Sequence, residues 1–396
     1  MPLPTPFHSR TSPLCESYEW RNWSGYLAAA LYEPSHEREY YAIRNSAALI
    51  DISPLFKYEI SGPDAPRLVD RIMTRDISQC RVGQVMYSPW CDERGQVIDD
   101  GTIARLEENR FRITAADPNL RWFQDVGYGL RAQVVNVSQD LAALALQGPK
   151  SRAILREVVA GVDVDRLKYF RLAQGTVDGF PVTITRTGYT GDLGYELWTA
   201  PERAGRLWDC LFERGRDYGL LPAGLVALDV ARIEAGLLLI EVDYISAHKA
   251  VIEAQKSSPY KIGLGWTVKL DAGDFVGRRA LAAEKERGSE WAFVGLQADW
   301  EALERLYAEF DLPPQVAGRA SRDAVPVYKY GGQIGQATSH TFSPILKQYI
   351  GLGTVLSRHA RIGEQVEMEV TVEYTRRRVP ATVVRTPFFD PERKRA

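Results

Sequence analysis

Cysteine is scarce in this 396-residue chain, and the four cysteines it contains are widely scattered. They form no CxxC pair, and no histidine stands at metal-ligand spacing beside them. The sequence therefore predicts neither a disulfide framework nor a metal site, and it favours a reducing compartment. The four positions are Cys15, Cys80, Cys91 and Cys210.

Long apolar runs and an excess of basic charge are also missing. The N-terminal residues MPLPTPFHSRTSP lack the apolar segment of a signal peptide, and no uninterrupted apolar stretch of about 18 residues follows. The formal net charge is −2, with the basic residues dispersed, so no surface that tracks nucleic-acid phosphates is indicated. We expect a soluble cytoplasmic protein that has neither a nucleic acid nor a membrane as a partner.

The length and composition are those of a globular protein with more than one domain. Hydrophobic residues make up 45% and charged residues 25% of the chain, both near the average, and 396 residues exceed the usual size of one core. Helical and strand patterns are mixed up to about residue 275. From AVPVY to ATVVRTPFF, short strands recur at regular intervals, which predicts a small C-terminal all-β module of roughly 100 residues.

Several elements can be predicted from periodicity and turn residues. Residues 64–76 form an amphipathic pattern that predicts a helix with Asp64 as its N-cap. Residues 84–116 predict an antiparallel meander with turns at 93–95 and 108–109. Residues 225–239 have helical spacing with Arg232 and Glu234 embedded in them, and buried charges of this kind need partners.

Asp99 and Asp100 are the first candidates for chemistry. Adjacent strand residues point to opposite faces, so the two carboxylates cannot share a proton and only one of them can face a given pocket. Two interpretations stay open at this point. Both residues can be surface acids on a solvated meander, or one can accept hydrogen bonds from a nitrogen-rich heterocycle.

The segment RTGYTGDLGYE, residues 186–196, concentrates three glycines, two tyrosines and two acids. Such a bend can bring the backbone close to a flat ligand while aromatic rings stack on it. It lacks the spacing of a phosphate-binding loop. A plain β-hairpin with aromatic packing is the alternative.

Seven short stretches together carry a family resemblance over nearly the whole chain. In order they are QVIDD (96–100), LQGP (146–149), RTGYTGDLGYE (186–196), RIEAG (232–236), GLGWTVK (263–269), DFVG (274–277) and TFSP (341–344). The chain resembles the aminomethyltransferase family of the glycine-cleavage T-protein. The resemblance implies a three-lobed α+β fold around a central tetrahydrofolate site. It further implies two intertwined lobes in residues 1–275, the second roughly 56–139, and a C-terminal β-barrel domain in residues 276–396.

The same resemblance implies roles for individual residues. Asp100 is similar to the catalytic or folate-orienting carboxylate, and Glu196 would accept hydrogen bonds from the pterin amino and ring N–H groups. Arg232 is similar to the folate-site arginine of the family. Arg378 would meet the carboxylate tail of the cofactor, with its two neighbours as competing positions. The walls of the folate site would be Tyr87, Tyr189 and Trp266.

The sequence departs from the T-protein pattern at three places where a substrate is expected to bind. DISPLF (51–56) replaces a stretch resembling DVSHMG, ITAAD (113–117) replaces VNAAN, and Ser339-His340 replaces Ser-Gly. These changes argue against an aminomethyl-lipoyl substrate, so a lipoyl carrier protein is not an expected partner. The chain is more similar to tetrahydrofolate-dependent demethylases in WSGY (23–26) and VDY (242–244).

We therefore expect a small methylated substrate, with an aromatic methoxy acid favoured over N- or S-methyl compounds. Trp23, Tyr26, Tyr244 and His340 are the expected substrate residues. Tyr244, Tyr26 or His340 could donate a proton to the leaving oxygen. The alternatives are an aminomethyltransferase that makes 5,10-methylenetetrahydrofolate and a folate-binding protein without turnover.

Overall fold

The structure, a computed structural model, describes residues 1–315 and 318–396. Within these residues the chain forms nine α-helices: α1 (His8–Thr11), α2 (Glu37–Asn45), α3 (Ala65–Ile72), α4 (Leu120–Val126), α5 (Ser151–Val158), α6 (Ala204–Gly215), α7 (Leu225–Glu234), α8 (Arg278–Arg287) and α9 (Trp300–Ala308).

The same residues form twenty-one strands. They are β1 (Leu3–Pro4), β2 (Trp20–Trp23), β3 (Tyr26–Ala29), β4 (Ala47–Asp51), β5 (Phe56–Ser61), β6 (Val85–Cys91), β7 (Val97–Glu107), β8 (Arg110–Ala115), β9 (Gln133–Asn136), β10 (Ala142–Gln147), β11 (Val159–Ala160), β12 (Leu172–Val177), β13 (Phe180–Thr185), β14 (Gly194–Thr199), β15 (Leu220–Pro222), β16 (Trp291–Ala298), β17 (Val325–Lys329), β18 (Gly332–Ser343), β19 (Gln348–Leu356), β20 (Gln365–Val372) and β21 (Thr375–Val384).

These strands form three main sheets, each with its own hydrophobic core. A seven-stranded sheet has the order β11-β12-β13-β14-β10-β4-β15, and a five-stranded sheet has the order β6-β7-β8-β5-β9. The third is a closed barrel in the order β16-β19-β18-β17-β20-β21. Mostly antiparallel sheets with helices packed on them make this an α+β fold, and the predicted fold class with its C-terminal barrel is confirmed.

The predicted meander is present as β6, β7 and β8. β6 pairs antiparallel with β7, and β7 pairs antiparallel with β8. Gly95 adopts the left-handed φ of +74° in the first turn, a conformation that glycine reaches without steric cost. The strand alternation therefore gives the sheet one face in contact with its core and another toward the seven-stranded sheet.

Two helices differ from their predictions. Asp64 occupies the N-cap position of α3, but its carboxylate makes no capping bond and instead accepts hydrogen bonds from Arg131. Helix α7 ends at Glu234, five residues earlier than predicted. Gly236 adopts a left-handed φ of +66° there, and the chain turns away despite the apolar pattern that continues.

The barrel begins earlier than the strand pattern indicated. β16 begins at the last residue of the charged stretch AAEKERGSEW, so its strand pattern was not recognisable from the sequence. It closes the barrel by pairing with both β19 and β21. The division of the chain into residues 1–275 and 276–396 stays a prediction. None of the helices in the described part of the chain has the length and apolarity that a membrane span requires.

Candidate active site

Asp99 and Asp100 lie on β7 and point to opposite faces of the five-stranded sheet. Asp99 is fully buried and accepts hydrogen bonds from the backbone N–H of Asp117 and the side-chain amide of Asn119, both at 2.9 Å. It also accepts one from the N–H of Asp100 at 2.8 Å. Burial and the nearby charge of Asp100 raise the pKa of Asp99 well above its usual value. Asp99 therefore fixes the loop after β8.

Asp100 is half-buried and accepts hydrogen bonds from two tyrosine hydroxyls. Tyr87 Oη donates to Asp100 Oδ2 at 2.7 Å, and Tyr244 Oη donates to Oδ1. Burial raises the pKa of the Asp100 carboxyl, and the two hydroxyls offset part of that effect. Burial, together with the charge of Asp100, raises the pKa of both tyrosines well above 10. The tyrosines therefore stay neutral hydrogen-bond donors at physiological pH. We call Asp100, Tyr87 and Tyr244 the carboxylate cluster.

An aromatic wall continues from the carboxylate cluster toward solvent. Trp266 stacks on Tyr87 with ring centroids 6.4 Å apart and an interplanar angle of 23°. Its side chain is 56% exposed, a large fraction for tryptophan. An exposed aromatic plane beside a carboxylate is a suitable surface for a flat ligand.

The Asp100 face of the sheet leads to a second carboxylate, that of Glu196 on β14. Residues at two-residue spacing along β7, among them Thr102, line a narrow cleft, and Glu196 lies on its opposite side. Glu196 is half-buried and accepts a hydrogen bond from Thr185 Oγ1 at 3.3 Å. Burial raises its pKa to about 7. In the described part of the chain it forms no ion pair.

The glycine-rich bend is held together mainly by contacts within the protein. A Cβ at Gly188 or Gly194 would overlap with the side-chain amide of Gln147, which is fully buried. Gln147 Nε2 donates to the carbonyl of Thr187, and the Tyr189 hydroxyl donates to the carbonyl of Leu238. At two of the three glycines, the group that lies close to the backbone is thus the Gln147 side chain, where the sequence predicted a ligand. Tyr189 is half-buried beside this bend.

Arg232 is fully buried in an ion pair. Its Nη1 lies 2.7 Å from Asp243 Oδ2, and its Nη2 donates to Ser339 Oγ at 2.8 Å. Asp243 also accepts hydrogen bonds from the hydroxyls of Thr338 and Ser339, both at 2.6 Å. These contacts link α7 to the barrel strand β18, and the contact of Arg232 with folate that the family resemblance implies stays a prediction.

His340 and Arg378 are not brought to the carboxylate cluster. The His340 ring bonds to the Tyr349 hydroxyl at 2.6 Å and the Asp323 carbonyl at 3.1 Å, which occupies both of its nitrogens. Burial lowers its pKa, so the ring is neutral. Arg378 is exposed on β21, with its guanidinium 3.7 Å over the Tyr328 ring. A proton-donor role for His340 has no support in this geometry.

Trp23 and Tyr26 flank the turn of the β2–β3 hairpin, directly opposite each other. Both are half-buried, and Trp23 packs against the same buried hydrophobic cluster as Tyr189. At the tip, Ser24 Oγ donates to the Ala116 carbonyl at 3.3 Å. The hairpin therefore borders the loop after β8 that Asp99 fixes.

Two family descriptions match this chain in the order of its domains. The GCVT N-terminal domain matches residues 9–272, and the glycine cleavage T-protein C-terminal barrel domain matches residues 310–390. The chain belongs to the glycine cleavage T-protein family. Enzymes of this family are one-carbon transferases that use tetrahydrofolate.

Individual relatives support this assignment. An aminomethyltransferase from Halothermothrix orenii is 36% identical over 89% of this chain and 90% of its own length. A trimethylamine-oxide aldolase from Ruegeria pomeroyi is 34% identical over 99% of this chain, which spans 47% of that longer protein. The glycine cleavage aminomethyltransferase of Bartonella henselae has the same fold, with a TM-score of 0.81, 24% identity and 98% coverage of both chains.

The side chains on and beside the Asp100 face of the sheet fit the tetrahydrofolate that the family uses. A reduced pterin presents several N–H donors and two flat faces, and carboxylates are acceptor-only groups when ionised. Asp100 and Glu196 supply two such carboxylates, neither of which pairs with a cation in the described residues. Tyr87 and Trp266 supply aromatic faces. We propose Tyr87, Asp100, Tyr189, Glu196 and Trp266 as the residues that bind tetrahydrofolate.

Arg75, which no sequence motif indicates, lies beside the aromatic wall. Its Cζ is 5.3 Å from the centre of the Trp266 ring, and it is half-buried. Burial lowers its pKa. Its place in the TRD stretch did not mark Arg75 as a site residue. The aromatic wall beside it is formed by segments that are far apart along the chain, so local sequence does not show that they meet.

Proposed function

We propose that the protein is a tetrahydrofolate-dependent demethylase that moves a methyl group from a small substrate to N5 of tetrahydrofolate. An aromatic methoxy acid is the favoured donor. The observation that carries this proposal is the carboxylate cluster, in which the Tyr244 hydroxyl is held on Asp100 in a buried position. An aromatic ether leaves as a phenoxide, whose oxygen needs a proton, and this cluster can supply one.

Tyr244 is the proposed proton donor. Burial and the charge of Asp100 raise its pKa, so its hydroxyl stays protonated and gives up its proton only as another proton reaches it. As Tyr244 Oη gives up its proton to the leaving oxygen, Asp100 can pass on to it the proton that the folate nitrogen would lose, because burial raises the pKa of that carboxyl. This arrangement avoids a tyrosinate next to an ionised carboxylate, which like charges would disfavour.

Tetrahydrofolate, when bound, supplies the nucleophilic nitrogen that accepts the methyl group. In the overall reaction the methyl carbon–oxygen bond breaks with its electron pair on oxygen, and a carbon–nitrogen bond forms. The oxygen gains one proton and N5 loses one, so no oxidant or reductant is required. The walls of the cleft must align oxygen, carbon and nitrogen, and we propose that Trp23 and Tyr26 orient the substrate in this way.

An aminomethyltransferase activity is the second candidate. It is favoured by the names of most of the similar relatives, including the Halothermothrix orenii protein at 36% identity. In that reaction the product would be 5,10-methylenetetrahydrofolate. The carboxylate cluster would then orient the folate, and Tyr244 would have no leaving oxygen to protonate.

Product analysis distinguishes the two candidates. The purified protein is incubated anaerobically with tetrahydrofolate and, separately, with methoxybenzoates, betaines, sulfonium compounds and an aminomethylated lipoyl carrier protein. We expect 5-methyltetrahydrofolate to form with a methoxybenzoate. Formation of 5,10-methylenetetrahydrofolate only with the carrier would contradict the demethylase proposal, as would folate binding without any product.

A further inference from the structure

Arg75 is an arginine without an acidic partner beside the aromatic wall. Within the described residues no carboxylate forms an ion pair with it, and its buried Nε has no hydrogen-bond partner. The one hydrogen bond that its guanidinium donates within the described residues is long, at 3.5 Å from Nη1 to the Tyr87 carbonyl. A half-buried guanidinium is normally paired, because the unpaired charge is costly to desolvate.

The position of Arg75 is fixed by the residue before it. Thr74 Oγ1 lies 3.1 Å from Thr267 Oγ1 and 3.2 Å from Ser88 Oγ, and all three residues are fully buried. These hydrogen bonds join the chain at Arg75 to β6 and to the segment that carries Trp266. The backbone at Arg75 is therefore anchored to the segments that carry the aromatic wall, and its guanidinium lies over the Trp266 ring.

Tyr87 spans the interval between Arg75 and Asp100. Its hydroxyl donates to Asp100, while its backbone carbonyl accepts from Arg75. The guanidinium and the carboxylate cluster are thus separated by about the length of one tyrosine residue. A benzoic acid with an oxygen at the para position has nearly the same length between its carboxylate and that oxygen.

We propose that Arg75 binds the carboxylate of a para-methoxylated aromatic acid whose methoxy oxygen lies at the carboxylate cluster. This inference rests on the proposed demethylase function and assigns its substrate class to a particular residue. Arginine suits the task because its planar fork matches a carboxylate bidentately. The aromatic ring of the acid would lie along the wall formed by Tyr87 and Trp266.

Calorimetry on the tetrahydrofolate-saturated protein tests this inference without turnover. The probes are 4-hydroxybenzoate, which has no methyl group to transfer, and its uncharged counterpart 4-hydroxybenzamide. We expect the wild-type protein to bind the acid at least about 10-fold more tightly than the amide. In Arg75→Ala the affinity for the acid should fall by about 10- to 100-fold, with little change for the amide. Arg75→Lys should restore part of the preference.

Arg67→Ala is the matched control, since Arg67 is an exposed arginine in the preceding helix α3 and should behave like the wild type. Thermal unfolding and tetrahydrofolate affinity report whether each variant is folded. The glutamate part of folate is a second source of carboxylate. If Arg75 binds that glutamate instead, Arg75→Ala should bind tetrahydrofolate more weakly but 6-methyltetrahydropterin equally well. This result, together with an unchanged preference for the acid over the amide, would overturn the inference.

Failure of the inference differs from failure of the proposed function. If the wild-type protein demethylates methoxy aromatics but Arg75→Ala keeps the acid-to-amide preference, the Arg75 assignment is wrong and the demethylase proposal stands. If the folate-saturated wild type neither binds hydroxybenzoate nor demethylates any methoxy aromatic, the proposed substrate class is wrong, and the Arg75 inference is rejected with it.

Discussion

At the residue scale, Asp99 and Asp100 are chemically identical neighbours whose surroundings give them different roles. Asp99 accepts three hydrogen bonds from amide groups of the protein and is completely enclosed. Asp100 is half-buried and bonded to two tyrosine hydroxyls. Its partners can exchange protons with a ligand, whereas the amides around Asp99 cannot do so at neutral pH.

Asparagine at each position should separate these roles. In Asp100→Asn the new amide nitrogen faces one of the tyrosine hydroxyls, so we expect turnover to fall by about 100-fold or more, with little change in unfolding temperature. In Asp99→Asn the amide nitrogen faces N–H donors, and the free energy of unfolding should fall by about 1–3 kcal/mol. Steady-state kinetics and thermal denaturation measure the two effects. Near-normal turnover in Asp100→Asn would remove Asp100 from the reaction.

The Glu196 carboxyl should make tetrahydrofolate binding pH-dependent. Its pKa is raised to about 7, so the acceptor-only ionised form increases as the pH rises through that value. If only this form binds the pterin N–H groups, affinity should increase by about 10-fold between about pH 6 and about pH 8. Calorimetry across this range checks the slope. Glu196→Gln should bind more weakly and without that slope, and an identical slope in this variant would assign the titration to another group.

At the scale of elements, the glycine-rich bend and β10 form one interlocked unit. Gly188 and Gly194 leave room for the Gln147 side chain, whose amide bonds to the bend and to β14. Thr190 Oγ1 also donates to Gln147 Oε1 at 2.8 Å. The unit sets the direction in which β14 begins, and Glu196 is the third residue of that strand. The bend thus positions a folate residue indirectly.

A methyl group in this bend should therefore be costly. In Gly188→Ala the added Cβ overlaps with the Gln147 amide, and we expect the free energy of unfolding to fall by about 1–3 kcal/mol. Gly332→Ala is the control, because Gly332 is exposed at the start of β18 and a Cβ there meets only the Lys329 carbonyl at 3.8 Å. Chemical denaturation compares the two. Equal stability of both variants would show that the bend relaxes around Gln147.

At the scale of the whole molecule, buried charges connect the N-terminal helices to the barrel. Arg232 on α7 and Ser339 on β18 meet at Asp243, one residue before Tyr244. Glu234 accepts hydrogen bonds from Arg44 on α2 and from Ser343 on β18. The barrel thus contributes to the position of Tyr244 even though its own strands carry none of the carboxylate cluster.

Loss of the Arg232 charge should weaken this connection. In Arg232→Met the Asp243 carboxylate stays buried without its counterion, so the free energy of unfolding should fall by about 3–5 kcal/mol. Arg378→Met is the matched control at an exposed position and should change stability by less than about 1 kcal/mol. Denaturation with two optical probes checks both variants. A stable Arg232→Met protein that no longer binds tetrahydrofolate would instead assign Arg232 to the folate site.

The sequence predicted the elements of the site better than their contacts. Alternation along β7 showed that Asp99 and Asp100 face opposite sides, and the meander turns were correct because their residues are local signals. The pairing of Asp100 with Tyr87 and Tyr244 could not be predicted, since Tyr244 is 144 residues away along the chain. For the same reason, neither the position of Arg75 beside Trp266 nor the ion pair of Arg232 with Asp243 could be predicted. Local pattern carries no information on which distant side chains meet.

Calorimetric titration of the wild-type protein with tetrahydrofolate, under anaerobic conditions near neutral pH, tests whether the Asp100 face of the five-stranded sheet, opposite Glu196, binds a reduced pterin. We expect saturable binding at one site per chain, with a dissociation constant in the micromolar range or below. The absence of any binding heat at several temperatures, from protein whose folded state is verified by thermal denaturation, would contradict it.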